Sequence, residues 1–233
     1  MRCLIPLLLV TAACNFDFEK QSHVSKLRVL AVRADPPQVV LVPGQPVPTV
    51  ELTALAVGRG GEPVEVEFSL CKTVGLPAAD LDCPGADGIS LPASSSTSAL
   101  LDLNHLEVPG DLPEVIPLAI GFEAASGGQR LHGFAAYDVR TSADSSPARN
   151  PAIQALECDG ARVPENGNGW VHAGTTVSLK PLSDSSEVTF SFYSTAGEID
   201  SLRATAKDPA VDWKAPAEPG PVQLWIVARD GRG

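Results

Sequence analysis

The sequence predicts an all-β chain built as sandwiches. Its hydrophobic runs are short and rich in Val, Leu and Phe. Pro, Gly and Asp punctuate them, and no 3.6-residue apolar period is sustained. A length of 233 residues leaves room for one or two apolar cores. The 20 glycines and 21 prolines fall well short of a disordered or collagen-like composition.

Taken in order, strands are expected near Leu27–Ala34, Val50–Val57, Val64–Leu70, Ala99–Leu103, Val115–Glu123 and Arg130–Val139. A second set falls near Ala152–Cys158, Thr175–Pro181, Val188–Ser194, Val211–Trp213 and Val222–Arg229. Between the sets, Thr141 to Pro151 is rich in Ser, Ala, Pro and Asn and reads as a linker. Gly58-Arg59-Gly60-Gly61 reads as a hairpin turn.

The two sets echo each other in the same order. Leu30-Ala31-Val32-Arg33-Ala34-Asp35 parallels Gln154-Ala155-Leu156-Glu157-Cys158-Asp159, and Gly44 before Val50 parallels Gly174 before Val177. Glu65 to Leu70 parallels Glu187 to Phe192, and Leu118 to Phe122 parallels Leu224 to Ala228. Four echoes in one order predict tandem copies of one sandwich. In the first copy a returning strand, Arg130–Val139, follows the turn at Ala124 to Gln129. The second copy stops within Asp230-Gly231-Arg232-Gly233, so it is expected to lack its last strand and to leave Val222–Arg229 as an open edge.

The end of the second copy carries a resemblance. Val211-Asp212-Trp213-Lys214-Ala215-Pro216, followed by Gly220 and by Val222 through Gly233 with Arg229-Asp230 inside it, resembles the bacterial immunoglobulin-like domains of surface proteins. That resemblance covers 204–233 well and 26–233 loosely. It implies two tandem immunoglobulin-like units, 26–141 and 152–233, joined by the linker 142–151. It implies a fold and no activity.

The N-terminus carries a second resemblance. Arg2 is followed by an apolar run, Cys3 to Val10, shorter than the roughly 20 residues needed to span a bilayer. Thr11-Ala12-Ala13-Cys14 then resembles the lipobox of bacterial lipoproteins. The resemblance implies that residues 1–13 are removed as a signal and that Cys14 carries the lipid. Asn15 stands where Asp would retain such a protein at the inner membrane, which implies the outer membrane. Several acyl chains make such an anchor stable, at about 0.8 kcal/mol per buried CH₂. Residues 14–25 are polar and read as a tether reaching at most about 36–40 Å from Asn15 to Ser25, which would hold the first unit near the membrane.

Charge limits the partners. There are 28 acidic against 17 basic side chains, a formal charge of −11, which argues against nucleic-acid binding. A negative body at an anionic surface is held by lipid and not by charge.

Chemistry finds few candidates. Cys71 and Cys83 flank a short loop in a chain read as exported, and a disulfide closing it contributes about 3 kcal/mol. No second Cys or His pair stands nearby to complete a zinc site. Cys158 is the odd thiol and is expected to be an inert inward residue. The loop Asp80 to Gly88, with Asp80, Asp82 and Asp87, keeps only part of a calcium-loop rhythm. His23, His105, His132 and His172 are scattered, without a metal-binding pair. No nucleophile elbow or phosphate loop is present. The sequence therefore predicts no catalytic residue, no metal and no cofactor. Trp213 and Trp225 are expected to pack in a core or at its rim, and Trp170 is the aromatic with most freedom to meet a ligand.

The expected function is non-enzymatic: structure, assembly or adhesion at the cell envelope, with the membrane and an envelope protein or glycan as partners. The alternative is a glycan- or ligand-binding accessory protein using Trp170 and the loop Asp80–Asp87. An enzyme ranks third.

Overall fold

The computed structural model describes residues 20–42, 45–74, 88–105, 114–141, 149–164 and 167–230. Among them there are seventeen strands and two short 3₁₀ turns, Arg59–Gly61 and Leu103–His105. The first nine strands are β1 (Arg28–Asp35), β2 (Val39–Val40), β3 (Val50–Val57), β4 (Glu65–Val74), β5 (Gly88–Ser90), β6 (Ala93–Ser95), β7 (Ser98–Leu101), β8 (Val115–Ser126) and β9 (Gln129–Arg140). The rest are β10 (Ile153–Cys158), β11 (Ala161–Val163), β12 (Thr176–Ser183), β13 (Thr189–Ser194), β14 (Glu198–Ile199), β15 (Arg203–Thr205), β16 (Val211–Lys214) and β17 (Leu224–Arg229). The fold is all-β.

Four sheets form, with orders β1-β3-β7-β6, β2-β9-β8-β4-β5, β11-β10-β12-β16-β14 and β15-β13-β17. All pairings within them are antiparallel except β2 with β9, which run parallel. The first two sheets enclose one core and the last two another. Alternation decides which side chains enter each core. In β3, Val50, Leu52 and Ala54 are buried while Glu51 between them is exposed. They meet Val66, Phe68, Ile116, Leu118 and Ile120 from the facing sheet. In the second core, Leu179, Trp213 and Val211 meet Phe190 and Phe192, each of those two rings being 1% exposed. Removing such a buried ring costs about 3–5 kcal/mol.

The long β8–β9 ladder pairs Phe122 with Gly133. A side chain at position 133 would collide with the Phe122 ring, so glycine there lets the ring lie across the partner strand.

Two expectations are corrected. Gly58 to Gly61 is no hairpin, because β3 and β4 belong to different sheets, so this segment crosses between layers through a 3₁₀ turn. The cause is that both flanking strands carry inward apolar alternation, and one layer faces the other across the core. The tether is also partly docked. Ser22 is 8% exposed and Val24 5%. The Ser194 amide donates to the Ser22 carbonyl at 2.9 Å, and the Val24 amide to the Ser194 carbonyl at 2.8 Å. Residues 22–24 thus extend the β15 side of β13 past the end of β15.

Candidate functional site

No helix among the described residues is long and apolar enough to cross a membrane. Cys14 and Cys83 lie outside the described residues, as does the acidic loop from Asp80 to Asp87. Cys71, at 5% exposure, packs with the fully buried Ala119, and its sulfur is engaged in a disulfide. By alternation this pair sits on the face of its sheet turned away from the core formed by Val66, Phe68 and Leu70.

Cys158 is a free thiol, half-buried at the end of β10, where it packs against the second core. Burial pushes its pKa up, and the neighbouring Asp159 charge adds to the rise. A thiol held protonated is a poor nucleophile.

The histidines stay apart. His23 sits in the docked segment, His105 in the second 3₁₀ turn, and the His132 Nδ1 lies 3.6 Å from Glu123. The His172 carbonyl accepts from Thr175, whose amide donates at 3.2 Å and whose hydroxyl donates at 2.7 Å. Among the described residues no group of three His, Cys, Asp or Glu side chains is placed to hold a metal ion.

The three tryptophans separate into three environments. Trp213 is buried in the second core and its Nε1 donates to the Ala196 carbonyl at 3.1 Å. That arrangement needs Gly197, whose φ is +82° and where a side chain would strike the indole. Trp225 points the other way along β17, with Val227 and Tyr193, into a cluster formed with Val24, Leu30 and Val57. Trp170 is 100% exposed.

The Trp225 cluster is the contact that sequence reasoning missed. It packs the outer face of β13 and β17 onto β1 and the end of β3. The Arg229 guanidinium closes it, donating to the Ser191 Oγ at 2.8 Å and to the Leu30 carbonyl at 2.6 Å. Asn150 adds a second tie, its Nδ2 donating to the Ala34 carbonyl at 2.7 Å. The signal was present in β17. Leu224, Ile226 and Ala228 face the core, yet Trp225 and Val227 on the other side are apolar too, as expected of a strand covered on both faces.

Among the described residues, β17 has no strand paired on its other side. β17 is the last strand of the sheet β15-β13-β17. The Thr195 amide bonds to the Gln223 carbonyl, so alternation aims the N–H and C=O groups of Leu224, Ile226 and Ala228 away from β13. In the first pair of sheets β9 occupies the corresponding side of β8.

An open cavity of about 640 Å³ lies where the docked segment meets β14 and β16. It is lined by Lys20, Thr176, Glu198, Asp200, Asp212 and Lys214, among others. Lys20 pairs with Glu198 across it at 3.6 Å. The groups around it are exposed and of mixed sign, an arrangement suited to surface contact and not to excluding water around a reaction.

No protein-family model matches the chain, and no curated protein matches it in sequence.

Proposed function

We propose that the chain is a lipid-anchored protein of the bacterial outer membrane, with two immunoglobulin-like units acting as a structural or interaction module and no catalytic role. The observation that carries the anchor is the Arg2-to-Val10 run followed by Thr11-Ala12-Ala13-Cys14. The strand order supports the immunoglobulin-like reading. One sheet runs β1-β3-β7-β6 and the other carries β4, β8 and β9, the A-B-E-D and C-F-G arrangement of that sandwich. The orders β10-β12-β16 and β13-β17 repeat its A-B-E and C-F parts. The disulfide at Cys71 supports the proposed Cys71–Cys83 bridge.

Fractionation tests the anchor. The mature protein should stay with membranes through high-salt and carbonate washes and leave only with detergent. Release by carbonate would refute lipid attachment.

The complete exposure of Trp170 favours a second reading, a glycan-binding accessory protein in which that indole stacks on a sugar ring. Titration of the soluble chain with envelope oligosaccharides, read by tryptophan emission, tests it. A saturable shift that disappears in Trp170→Phe would support it, and no shift would remove it.

A further inference from the structure

We propose that the end of the second pair of sheets bearing Lys20, Thr176 and Trp170 is the membrane-facing surface, with the Trp170 indole seated at the boundary between lipid headgroups and acyl chains. The proposal rests on the lipid-anchored reading of Cys14.

The first observation is where the N-terminal segment joins the folded body. Ser22 and Val24 are bonded to Ser194, and Lys20 pairs with Glu198, so the chain is held against the second pair of sheets before it enters β1. From Cys14 to Lys20 the chain spans at most about 20 Å. A lipid on Cys14 therefore keeps the rim of the Lys20–Thr176 cavity within about 20 Å of the bilayer. The sequence expectation put the first unit beside the membrane, and the docked segment moves that place to the second.

The second observation is independent of the first. The Thr175 amide and hydroxyl bond to the His172 carbonyl, which holds the loop before β12 at the same end as Thr176. Trp170 lies two residues before His172 and is fully exposed, while Val171 beside it packs on the second core. The loop thus carries a bare indole a few residues from Thr176, which shares the cavity rim with Lys20. Indoles favour the membrane interface, because one end is apolar and the N–H stays wet. Lys20 and Lys214 offset much of the charge of Glu198, Asp200 and Asp212, which limits repulsion from anionic lipid.

The test uses the chain from Cys14 onward with Cys158→Ser, oxidised, and coupled through Cys14 to a maleimide lipid in phosphatidylcholine–phosphatidylglycerol vesicles. Bromine atoms on the acyl chains quench nearby indoles. With one of three tryptophans at the interface, brominated vesicles should remove about a third of the emission, and Trp170→Phe should abolish that loss. Trp170 lies outside both cores, so this variant leaves the fold intact as a control. Equal emission in brominated and plain vesicles would overturn the proposal, as would quenching unchanged by Trp170→Phe. A saturable response of Trp170 to soluble oligosaccharide, without quenching by bromine, would assign the indole to glycan and also overturn it. Because the lipid is attached chemically, failure here is distinct from failure of lipidation in the cell.

Discussion

The Arg229 guanidinium donates to the Leu30 carbonyl at 2.6 Å, joining β17 to β1 across 199 positions. The same side chain holds the Ser191 hydroxyl at 2.8 Å. Hydrogen bonds to a charged group contribute about 1.5–3 kcal/mol, so Arg229→Met should lower stability by about that amount. Methionine keeps the alkyl stem, so the loss reports the bonds and not the packing. Urea unfolding is the measurement. The variant should unfold at lower denaturant and in two separable transitions, while a single transition at the parental midpoint would show that Arg229 does not couple the two cores.

A second prediction concerns alkaline pH. Burial pushes the Tyr137 phenol well above its ordinary value of 10.0, and its hydroxyl donates to the Pro36 carbonyl at 3.1 Å. The unfolded chain ionises this group near 10.0 while the folded chain keeps it protonated. Its contribution is thus complete below that pH and is lost as pH rises above it through the folded value. Tyr137→Phe should cost about 1 kcal/mol at neutral pH through the lost bond. It should also flatten the fall in stability above pH 10.0, measured as the urea midpoint against pH. An equally steep fall in the variant would assign the alkaline loss to other groups.

Thiol chemistry gives a third. Alkylation of the native, unreduced protein followed by mass spectrometry should find Cys71 and Cys83 blocked as one pair. Cys158 should be modified more slowly than an exposed thiol, because its pKa is raised. Recovery of Cys71 and Cys83 both alkylated would remove the bridge.

Much of the fold was legible because the principal strands bury one face. The Val50–Val57 alternation set both the bounds of β3 and its inward side. What escaped were β2, β5, β6, β11, β14 and β15, each of two or three residues and polar or edge-lying. Their pairing is decided by a neighbouring strand and not by their own pattern. The tether misread has a similar cause. Gln21-Ser22-His23 looks like solvent-facing chain, and only the unfilled edge of β13 beside Ser194 makes it a docked segment. For the candidate site, sequence singled out Trp170 and Cys71. It could not bring Arg229 to Leu30, because no local pattern encodes a contact between the two cores.

The open side of β17 yields a fourth prediction. Leu224, Ile226 and Ala228 aim backbone groups there that pair with no strand among the described residues, beside an apolar inner face. A strand of about six residues with alternating apolar side chains, joined after Gly233 by a short Asn-Gly turn, should pair with them as β9 pairs with β8. The extended protein should gain stability and aggregate less on heating, as read by unfolding midpoint and light scattering. No gain would mean that this edge does not accept a strand.

The proposed lipid on Cys14 is what would position the whole molecule. Expression in a bacterium grown with labelled palmitate tests this, comparing the parent chain with Cys14→Ser. The parent should be cut before Cys14 and labelled, and Cys14→Ser should take up no label and accumulate uncut or soluble. Equal label in Cys14→Ser, or none in the parent, would rule out lipid attachment at Cys14.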